Sequence, residues 1–462
     1  MFPKEVYINR RKNLQAKFSS GILFFPGNVD VAFNYPANIY PFRQDSAFSY
    51  FFGINQPDLN AIIDIDNNKT IIFGNELTID DIIWMGKLPT IKEQAAAVGV
   101  QTVMEEQQLA DILNEAISKG RKVHYLPPYR GETIIQIAEL LGKKNSEVRQ
   151  GASVELIKAV VELRSVKDKY EIAEIEKMVD VAYEMHTTAM KMAKPGIKEQ
   201  QIAGTIMGVS LSHEGPVSFP VIVTVNGQTL HNNYYGNTLQ EGRMLVCDAG
   251  AESALLYASD ITRTTPVGGK FNQRQKEIYE IVLKANQEVI KNAKPGDFYK
   301  NMHILSNKIV AQGLKDLGIM KGDVDEAVAK GAHALFYPHG LGHMMGMDVH
   351  DMEGLGEDYV GYDNEVQRAD QFGLAFLRMA RRLKPGFVVT VEPGIYFIPD
   401  LIDIWKSEGK FKEFINYDKV DTYRDFGGVR IEDDILITET GCRVLGKPIP
   451  KTVAEVEATC TK

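Results

Sequence analysis

Five segments in the last half of the chain each place one side chain that can bind a metal ion beside apolar or glycine-rich sequence. Asp248 and Glu392 both follow apolar runs. An ionised carboxylate at the end of a buried strand needs a partner. Five such segments are hard to explain as coincidences, so we expect the fold to bring them together. The five side chains are four carboxylates and one imidazole: Asp248, Asp260, His343, Glu392 and Glu432.

The interval between Asp248 and Asp260 suits two strands that are joined by a turn. Such a hairpin would place both carboxylates on one face, near the same point. Two carboxylates held close together repel each other, and a bound cation is the usual remedy. Taken alone, the pair is more often a turn residue and a capping residue, so the metal hypothesis depends on the other segments.

Three of the nine histidines lie close together in a glycine-rich segment, namely His339, His343 and His350. Gly340 and Gly342 imply a tight backbone that could aim His343 inward. A lone histidine is more often structural than a metal ligand. Three histidines in one segment favour a catalytic or metal-binding role.

The two glutamates lie in strongly apolar surroundings, where each needs a partner. Glu392 ends one apolar run, and Glu432 lies among isoleucines. A buried glutamate could pair with an arginine instead of a metal, and Arg430 is a candidate. We expect the neighbours of Glu432, Asp433 and Asp434, to lie at a solvated strand edge or turn.

The chemistry of this set of side chains favours two divalent cations. Ligands that are mostly oxygen, with one imidazole, suit manganese, and cobalt, iron and zinc are alternatives. Structural zinc would require more sulfur or histidine. Five side chains are too many for one cation that keeps an open position. Two cations can hold and acidify a water and stabilise an oxyanion, which makes hydrolysis the leading hypothesis.

The composition is that of an ordinary globular protein. The 462 residues exceed the usual size of one domain, and the hydrophobic and charged fractions are 44% and 24%. The net charge is −9, and no long basic run is present. Binding to nucleic acid or to an anionic membrane therefore has no electrostatic support. No stretch approaches the ~20 apolar residues that span a bilayer.

The cysteines and the first residues bear on the compartment. Cys247, Cys442 and Cys460 lie far apart and form no CxxC pair. Their number and spacing indicate a reducing compartment, and Cys247 is expected to be a buried hydrophobe. The first twelve residues lack the apolar core of a signal peptide. We therefore expect a cytoplasmic protein.

Hydrophobic periodicity indicates two domains, 1–165 and 166–462. In the first, residues 22–25 read as a strand, 62–65 and 70–73 as a hairpin, and 106–118 as a helix, which predicts a smaller mixed α/β domain.

The boundary is drawn near Ser165, where Ser165-Val166-Lys167-Asp168 resembles a capping box before a long helix. Further on, the four-residue sequence Ala-Lys-Pro-Gly occurs at 193–196 and again at 293–296. Each copy ends one helical pattern and leads into another, which favours a duplicated helix-and-strand unit.

At these motifs the sequence resembles the proline-specific metallopeptidases of the pita-bread fold, the group of aminopeptidase P and prolidase. The five motifs stand in the family's order across residues 166–462. In the first domain, residues 42–46 and 51–53 resemble the N-terminal domain of those enzymes. The resemblance implies an α+β pita-bread catalytic domain, built from a duplicated unit of helices and antiparallel strands.

The resemblance also implies roles for individual residues. Asp248 and Asp260 would be the first metal ligands, with Asp260 bridging, and His343 and Glu392 would bind the second metal. Glu432 would bridge both. Glu392 is also the candidate proton shuttle. His231 would contact substrate. His339 and His350 would contact substrate and steady the tetrahedral intermediate. Arg430 and Tyr396 would pair near the active site.

The implied function is hydrolysis of the bond between an N-terminal residue and a following proline. The preferred hypothesis is an Xaa-Pro aminopeptidase, with prolidase, an Xaa-Pro dipeptidase, as the alternative, because the motifs show features of both subfamilies. A non-enzymatic binding protein with this fold is a third possibility, and the presence of every ligand type weighs against it. The family also implies a homodimer. One departure is the interval between the two aspartates, which is one residue longer than expected for the family.

Overall fold

A computed structural model describes residues 1–461 of the chain. The chain forms two compact units. Unit 1 comprises Met1–Arg164 together with Glu353–Tyr359, and unit 2 comprises Ser165–Met352 together with the residues from Val360 onward. Among residues 1–461, no helix is both long enough and apolar enough to cross a membrane.

Unit 1 is built on a five-stranded sheet of order β6-β5-β4-β1-β7, with a separate β2-β3 hairpin. Its strands are β1 (Ile22–Pro26), β2 (Ala32–Tyr35), β3 (Asn38–Ile39), β4 (Asn60–Asp64), β5 (Lys69–Phe73), β6 (Thr102–Met104) and β7 (Val123–His124). The helices of this part of the chain are α1 (Lys4–Gln15), α2 (Ser46–Phe52), α3 (Ile79–Met85), α4 (Ile91–Ala97), α5 (Gln107–Ser118), α6 (Gly131–Leu141), α7 (Asn145–Val148) and α8 (Val154–Ser165).

The sheet of unit 1 mixes antiparallel and parallel pairs. β4 pairs antiparallel with β5, as the hairpin prediction requires, and β1 pairs antiparallel with β4. The edge strand β6 pairs parallel with β5, and the edge strand β7 pairs parallel with β1. Phe24, Ile62 and Phe73 from the sheet pack with Leu109 and Leu113 of α5 in one apolar core. The predicted mixed α/β domain is confirmed, including its helix at 107–118.

The remaining elements belong to unit 2, apart from the 3₁₀ helix Glu353–Leu355 and the first part of α14, which lie in unit 1. Its strands are β8 (Ile222–Thr224), β9 (Met244–Ala249), β10 (Ile261–Pro266), β11 (Val388–Val391), β12 (Gly394–Tyr396), β13 (Gly428–Arg430), β14 (Asp433–Ile437) and β15 (Cys442–Val444). The helices that follow α8 are α9 (Lys169–Met192), α10 (Glu199–His213), α11 (Gln273–Asn292), α12 (Tyr299–Asp316), α13 (Val324–Lys330), α14 (Glu357–Gly361), α15 (Pro399–Ser407), α16 (Tyr417–Asp421) and α17 (Val453–Cys460). Short 3₁₀ helices occupy Ala332–Leu335, Glu353–Leu355 and Leu374–Phe376.

One arrangement of two helices followed by a strand occurs twice in unit 2. The helix pairs α9-α10 and α11-α12 are each joined by an Ala-Lys-Pro-Gly turn whose glycine has positive φ, +89° at Gly196 and +91° at Gly296. The Gly196 N–H donates to the carbonyl of Leu239, and the Gly296 N–H donates to that of Leu383, both at 2.9 Å. A strand begins five residues after each of these leucines, at Met244 and at Val388. The predicted duplication of helices and antiparallel strands is therefore confirmed.

Each half of the duplication ends in a small antiparallel sheet. The first half forms the sheet β10-β9-β8, and the second forms β11-β14-β15, with β12 and β13 paired beside them. α9 and α10 bury their apolar faces against the first sheet, while α11 and α12 contribute to a second core with residues of β12 and β13. The four candidate carboxylates lie at or next to the ends of strands in these sheets, whereas His343 lies in a loop.

The start of the long helix of unit 2 differs from the prediction. Ser165 is the last residue of α8, and the cap of α9 is Asp168. The Asp168 carboxylate accepts from the N–H groups of Tyr170 and Glu171, and the Glu171 carboxylate accepts from the N–H of Asp168. The longer glutamate side chain reaches back to complete the capping box, so the helix begins three residues later than expected.

Candidate metal centre

The β9-β10 hairpin brings the two aspartates to one face. Asp248 lies opposite Thr262, and Asp260 precedes Thr262 by two residues, so its side chain points to the same side. The predicted hairpin is confirmed. The Asp260 N–H donates to the Asp434 carboxylate at 3.0 Å, which holds the start of β10 against β14.

His343 is held by close backbone packing against β11. Its N–H donates to the Thr390 hydroxyl, and the Thr390 N–H donates to its carbonyl, both at 3.1 Å. A Cβ at Gly342 would lie 2.1 Å from the Thr390 carbonyl oxygen, so only glycine allows this approach. His343 Nδ1 donates to the Met344 carbonyl at 3.0 Å, which leaves Nε2 as the nitrogen that can bind a metal.

The imidazole and the carboxylates converge. His343 Nε2 lies 3.3 Å from Asp260 Oδ2 and 3.6 Å from Glu392 Oε1. One ligand atom each from Asp260, His343 and Glu432 lie within 4.8 Å of one another. Glu432 is anchored at both ends, since its N–H donates to the Thr262 carbonyl at 3.0 Å and Thr262 Oγ1 donates to its Oε2 at 2.7 Å.

Burial and mutual repulsion perturb these acids. Burial, followed by the charge of Asp248, raises the pKa of Asp260 well above its usual value. Burial, followed by the charge of Asp260, does the same to the pKa of Glu432, and burial also raises that of Glu392. The buried Oδ1 of Asp248 accepts no hydrogen bond from the described residues. Crowded, desolvated oxygen donors beside an imidazole nitrogen fit divalent cations.

Arg430 pairs with Asp248 and not with a glutamate. Its Nη2 lies 2.7 Å from Asp248 Oδ2, and its Nε donates to Thr262 Oγ1 at 3.0 Å. Its Nη1 donates to the Tyr396 hydroxyl at 2.9 Å. One guanidinium thus orients a candidate ligand, the threonine that holds Glu432, and a tyrosine.

His339 has both ring nitrogens engaged. Its Nδ1 donates to the Gly340 carbonyl at 2.8 Å, and its Nε2 lies 2.9 Å from the Tyr396 hydroxyl. Because that hydroxyl accepts from Arg430, its own proton points to Nε2. Burial, followed by the charge of Arg430, lowers the pKa of His339 to about 3, and burial raises the pKa of Tyr396 to about 12. His339 is therefore neutral, with one tautomer selected by its neighbours.

The expectation that Asp433 and Asp434 are solvated is wrong. Both are buried in β14. Asp433 Oδ1 lies 2.7 Å from Arg263 Nη2, and its Oδ2 lies 2.6 Å from Lys451 Nζ. Although burial raises the pKa of Asp433, these two cations hold it below its usual value. Neither cation is adjacent to Asp433 in the sequence, so the two neighbouring carboxylates gave the pattern of a solvent-exposed segment.

The candidate ligands line a cavity of about 490 Å³. His231, His339, His350 and Arg430 also line it, and the His350 ring lies 4.1 Å from that of His343, centroid to centroid. Tyr396 reaches the site through its bonds to His339 and Arg430. The apolar side chains of the wall are those of Phe219, Pro220, Ile222, Leu230, Pro338, Val349 and Phe376.

Sequence reasoning missed several residues of this site. Arg378 lines the cavity, and Thr262 and Asp434 hold two of the candidate ligands through hydrogen bonds. The segment around Arg378 has no strand or helix pattern, so nothing in the sequence singled it out. Thr262 could have been found, since it follows Asp260 by two residues on a strand and shares its face.

Comparison with known proteins agrees with this geometry. Residues 173–439 match the family model of metallopeptidase family M24, and residues 7–125 match that of the aminopeptidase P N-terminal domain. The chain is 34% identical to a human Xaa-Pro dipeptidase over 430 residues, which cover 90% of this chain and 84% of the relative. It is also 34% identical to a probable Xaa-Pro aminopeptidase of Fusarium vanettenii over 443 residues, covering 95% and 92%.

The structure of aminopeptidase PepP from Pseudomonas aeruginosa superposes with a TM-score of 0.82 at 30% identity, covering 100% of this chain and 98% of that one. The expected pita-bread fold and the resemblance to proline-specific metallopeptidases are thereby confirmed. The family model spans more than half of the chain. The chain therefore belongs to metallopeptidase family M24, and it is a peptidase that depends on divalent metal ions.

Proposed function

We propose that this protein is an Xaa-Pro aminopeptidase, which releases the N-terminal residue from peptides with proline in the second position. The observation that supports this most directly is the convergence of His343 with four carboxylates at one cavity whose remaining wall is largely apolar. The names of the Fusarium relative and of the Pseudomonas structure agree with it.

Two divalent cations, manganese first and cobalt, zinc or iron as alternatives, complete the proposed site. Asp248, Asp260, His343, Glu392 and Glu432 would hold them, with Asp260 and Glu432 as the shared carboxylates. Such cations supply a water of lowered pKa and polarise the scissile carbonyl. The oxygen-rich donor set supports manganese.

Glu392 is proposed to move the proton. Burial raises its pKa, which suits a carboxylate that takes a proton from the attacking water near neutral pH. Its Oε1 accepts from the Thr390 hydroxyl at 3.4 Å, so the carboxylate is oriented. The proton then passes to the proline nitrogen as the carbon–nitrogen bond breaks, and the products are an amino acid and a peptide with N-terminal proline.

The histidines are proposed to divide the remaining work. His350 faces the cavity and donates an N–H to the carbonyl oxygen as negative charge develops there. His339 contacts substrate without transferring a proton, because both of its nitrogens are held. His231 also lines the cavity and contacts the peptide, while Arg430 and Tyr396 orient Asp248 and His339.

The proline ring is proposed to lie against the apolar wall. Proline lacks an amide N–H, so the residue that follows the scissile bond needs no hydrogen-bond acceptor there. Phe219 and Phe376 are the aromatic members of that wall. A shaped apolar surface of this kind selects a ring over an extended side chain.

Arg378 favours the alternative, an Xaa-Pro dipeptidase. A guanidinium in the cavity can bind the free carboxylate of a dipeptide through paired hydrogen bonds. The human relative bears that activity in its name. We therefore retain the dipeptidase as the second candidate.

The test is to compare hydrolysis of an Xaa-Pro dipeptide with that of Xaa-Pro-Xaa peptides, with manganese added and after chelation. We expect the protein to hydrolyse the longer peptides and to require metal, with kcat/KM for the tripeptide at least equal to that for the dipeptide. Activity confined to dipeptides would overturn the aminopeptidase in favour of the dipeptidase. Activity that survives complete removal of metal would overturn both.

Replacing Arg378 by methionine is expected to change selectivity by chain length. Loss of a charge-assisted hydrogen bond to a terminal carboxylate costs about 1.5–3 kcal/mol, or roughly 10- to 100-fold in kcat/KM for the dipeptide. Longer peptides, whose carboxylate lies elsewhere, should lose much less. Steady-state kinetics of the R378M and R378K variants on both substrates provide the measurement. Equal losses on both substrates would contradict a role in binding the carboxylate.

We also propose that the protein is cytoplasmic and forms a homodimer. The N-terminal domain, 1–165, would make the dimer contacts, and the domain 166–462 would carry out catalysis. Unit 1 exposes several large apolar side chains on the β2-β3 hairpin and around α3. Trp84 is 87% exposed. The absence of a disulfide pattern among three cysteines supports the compartment.

If α3 contributes to a dimer contact, W84D shifts the protein from dimer to monomer in sedimentation velocity experiments. The physical reason is that a charge placed in an apolar contact cannot be solvated when the contact forms. The matched control is L211D, because Leu211 is an exposed apolar residue of unit 2. The same oligomeric state for W84D and the unmodified protein would remove α3 from the proposed interface.

A further inference from the structure

A buried ion pair lies beside the candidate metal centre and is not used by the proposed mechanism. Lys167 precedes α9, and Asp351 directly follows His350. Lys167 Nζ lies 2.7 Å from Asp351 Oδ2, and each side chain is only 1% exposed. Such a pair is enclosed by protein on all sides. Hydrogen bonds of the surrounding backbone hold both partners in place.

Asp351 closes the loop that presents His350. The Asp351 N–H donates to the Met344 carbonyl at 2.9 Å, and Asp351 Oδ1 accepts from the Asp348 N–H at 3.4 Å. Met344 itself bridges to Val389 of β11. The loop 344–351 thus begins and ends at one point, with the Asp351 carboxylate at its base.

Lys167 ties that base to the strands of the second half. Its N–H donates to the Gly386 carbonyl at 2.8 Å, and the Gly386 N–H donates to the carbonyl of Ile437, the last residue of β14. β11 begins two residues after Gly386 and leads to Glu392. The ion pair therefore links the loop of His350 to the strand that precedes a candidate ligand.

The pair leaves little freedom around it. A Cβ at Gly346 would lie 2.6 Å from Asp351 Oδ2 and 2.9 Å from Lys167 Cε. The Gly346 carbonyl accepts from the N–H of Ala258, in the connection between Asp248 and Asp260. The hairpin of the two aspartates thus contacts the same loop.

Stability alone is a weak reason for such a pair. Replacing a buried ion pair by apolar residues of similar volume is often neutral or stabilising, because the charges lose their hydration. What an apolar pair cannot supply is a directional bond between two fixed atoms. We propose that Lys167 and Asp351 are positioning residues, whose bond fixes the loop 344–351 so that His350 meets the developing oxyanion. This inference rests on the proposed function of His350.

The test combines an apolar replacement of the pair with removal of the histidine. The K167M/D351L variant should keep its Tm but lose about 10²-fold in kcat, since a displacement of about 1 Å in a catalytic group costs that much. KM should change little, because the oxyanion forms only after substrate binds. In the H350A background, the same pair replacement should add less than about threefold to the loss.

The controls separate the possible failures. R121M/D64L removes a partly buried ion pair of unit 1 and should leave kcat unchanged. If K167M/D351L does not fold, D351N, which keeps the size of the side chain, is measured by the same criteria. Full kcat in the pair variant, or a full multiplication of its loss with that of H350A, overturns the inference while leaving the proposed function intact. An H350A variant with unchanged kcat overturns the proposed role of His350, and the inference with it.

Discussion

Replacing Asp260 by asparagine is expected to lower kcat/KM by more than about 10³-fold, or about 4 kcal/mol of transition-state stabilisation. Asp260 lies 3.3 Å from His343 Nε2 and within the group of ligand atoms that also includes Glu432. An amide oxygen supplies no negative charge to bound cations. The variant should therefore lose metal as well as activity, while its metal-free form should be as stable at pH 8 as the unmodified protein, or more so, because one repelling carboxylate is gone.

Metal content per chain, peptide hydrolysis and the Tm after chelation measure the three parts of this prediction. E408Q is the matched control, because Glu408 is an exposed carboxylate of unit 2. It should keep its metal, its activity and its Tm. Full metal content together with full activity in D260N would exclude Asp260 from the metal centre.

The contribution of three candidate ligands to the stability of the metal-free protein is expected to fall as the pH rises from about 5 to 8. Asp260, Glu392 and Glu432 have pKa values in the folded protein that lie above their usual values, for which burial is the largest cause. The folded state therefore keeps protons on these three carboxyls that the unfolded state has lost at these pH values. Its stabilisation is complete below the ordinary carboxyl pKa of about 4 and is lost as the pH rises through the raised values.

Divalent metal should reverse this trend. Cations bind the deprotonated carboxylates, so binding releases protons and the affinity rises with pH. Thermal unfolding across pH 5–8, with chelator and with manganese, measures both slopes. Calorimetry in buffers of different ionisation enthalpy counts the protons released. The difference in Tm between the metal-free protein and its metal-free D260N/E432Q variant isolates the contribution of Asp260 and Glu432. If the variant does not gain stability relative to the unmodified protein as the pH rises, the prediction is contradicted.

Local pattern was enough to predict much of this molecule. The strands before Asp248 and Glu392 read as apolar runs, and the turn between the two aspartates had the length of a hairpin, which the register of β9 and β10 confirms. The repeated Ala-Lys-Pro-Gly turns predicted the duplication because proline and glycine end helices for local reasons. These features depend on residues that are neighbours in sequence.

The incorrect or missing predictions have different causes, and only some of them involve partners that are distant in sequence. Asp433 is buried because Arg263 and Lys451 neutralise it, and no pattern around Asp433 reveals them. Ser165 and Asp168 are both good caps, and the choice between them depends on the reach of Glu171. Arg378 enters the cavity from a segment without regular structure.

The duplication divides the candidate ligands unequally between its halves. The first half supplies only Asp248 and Asp260, two acids that repel each other, while the second supplies His343, Glu392 and Glu432. Neither half alone presents the complete set of candidate ligands. Metal binding at the proposed site therefore requires both halves of unit 2 to be folded, and bound divalent ions would link one half to the other.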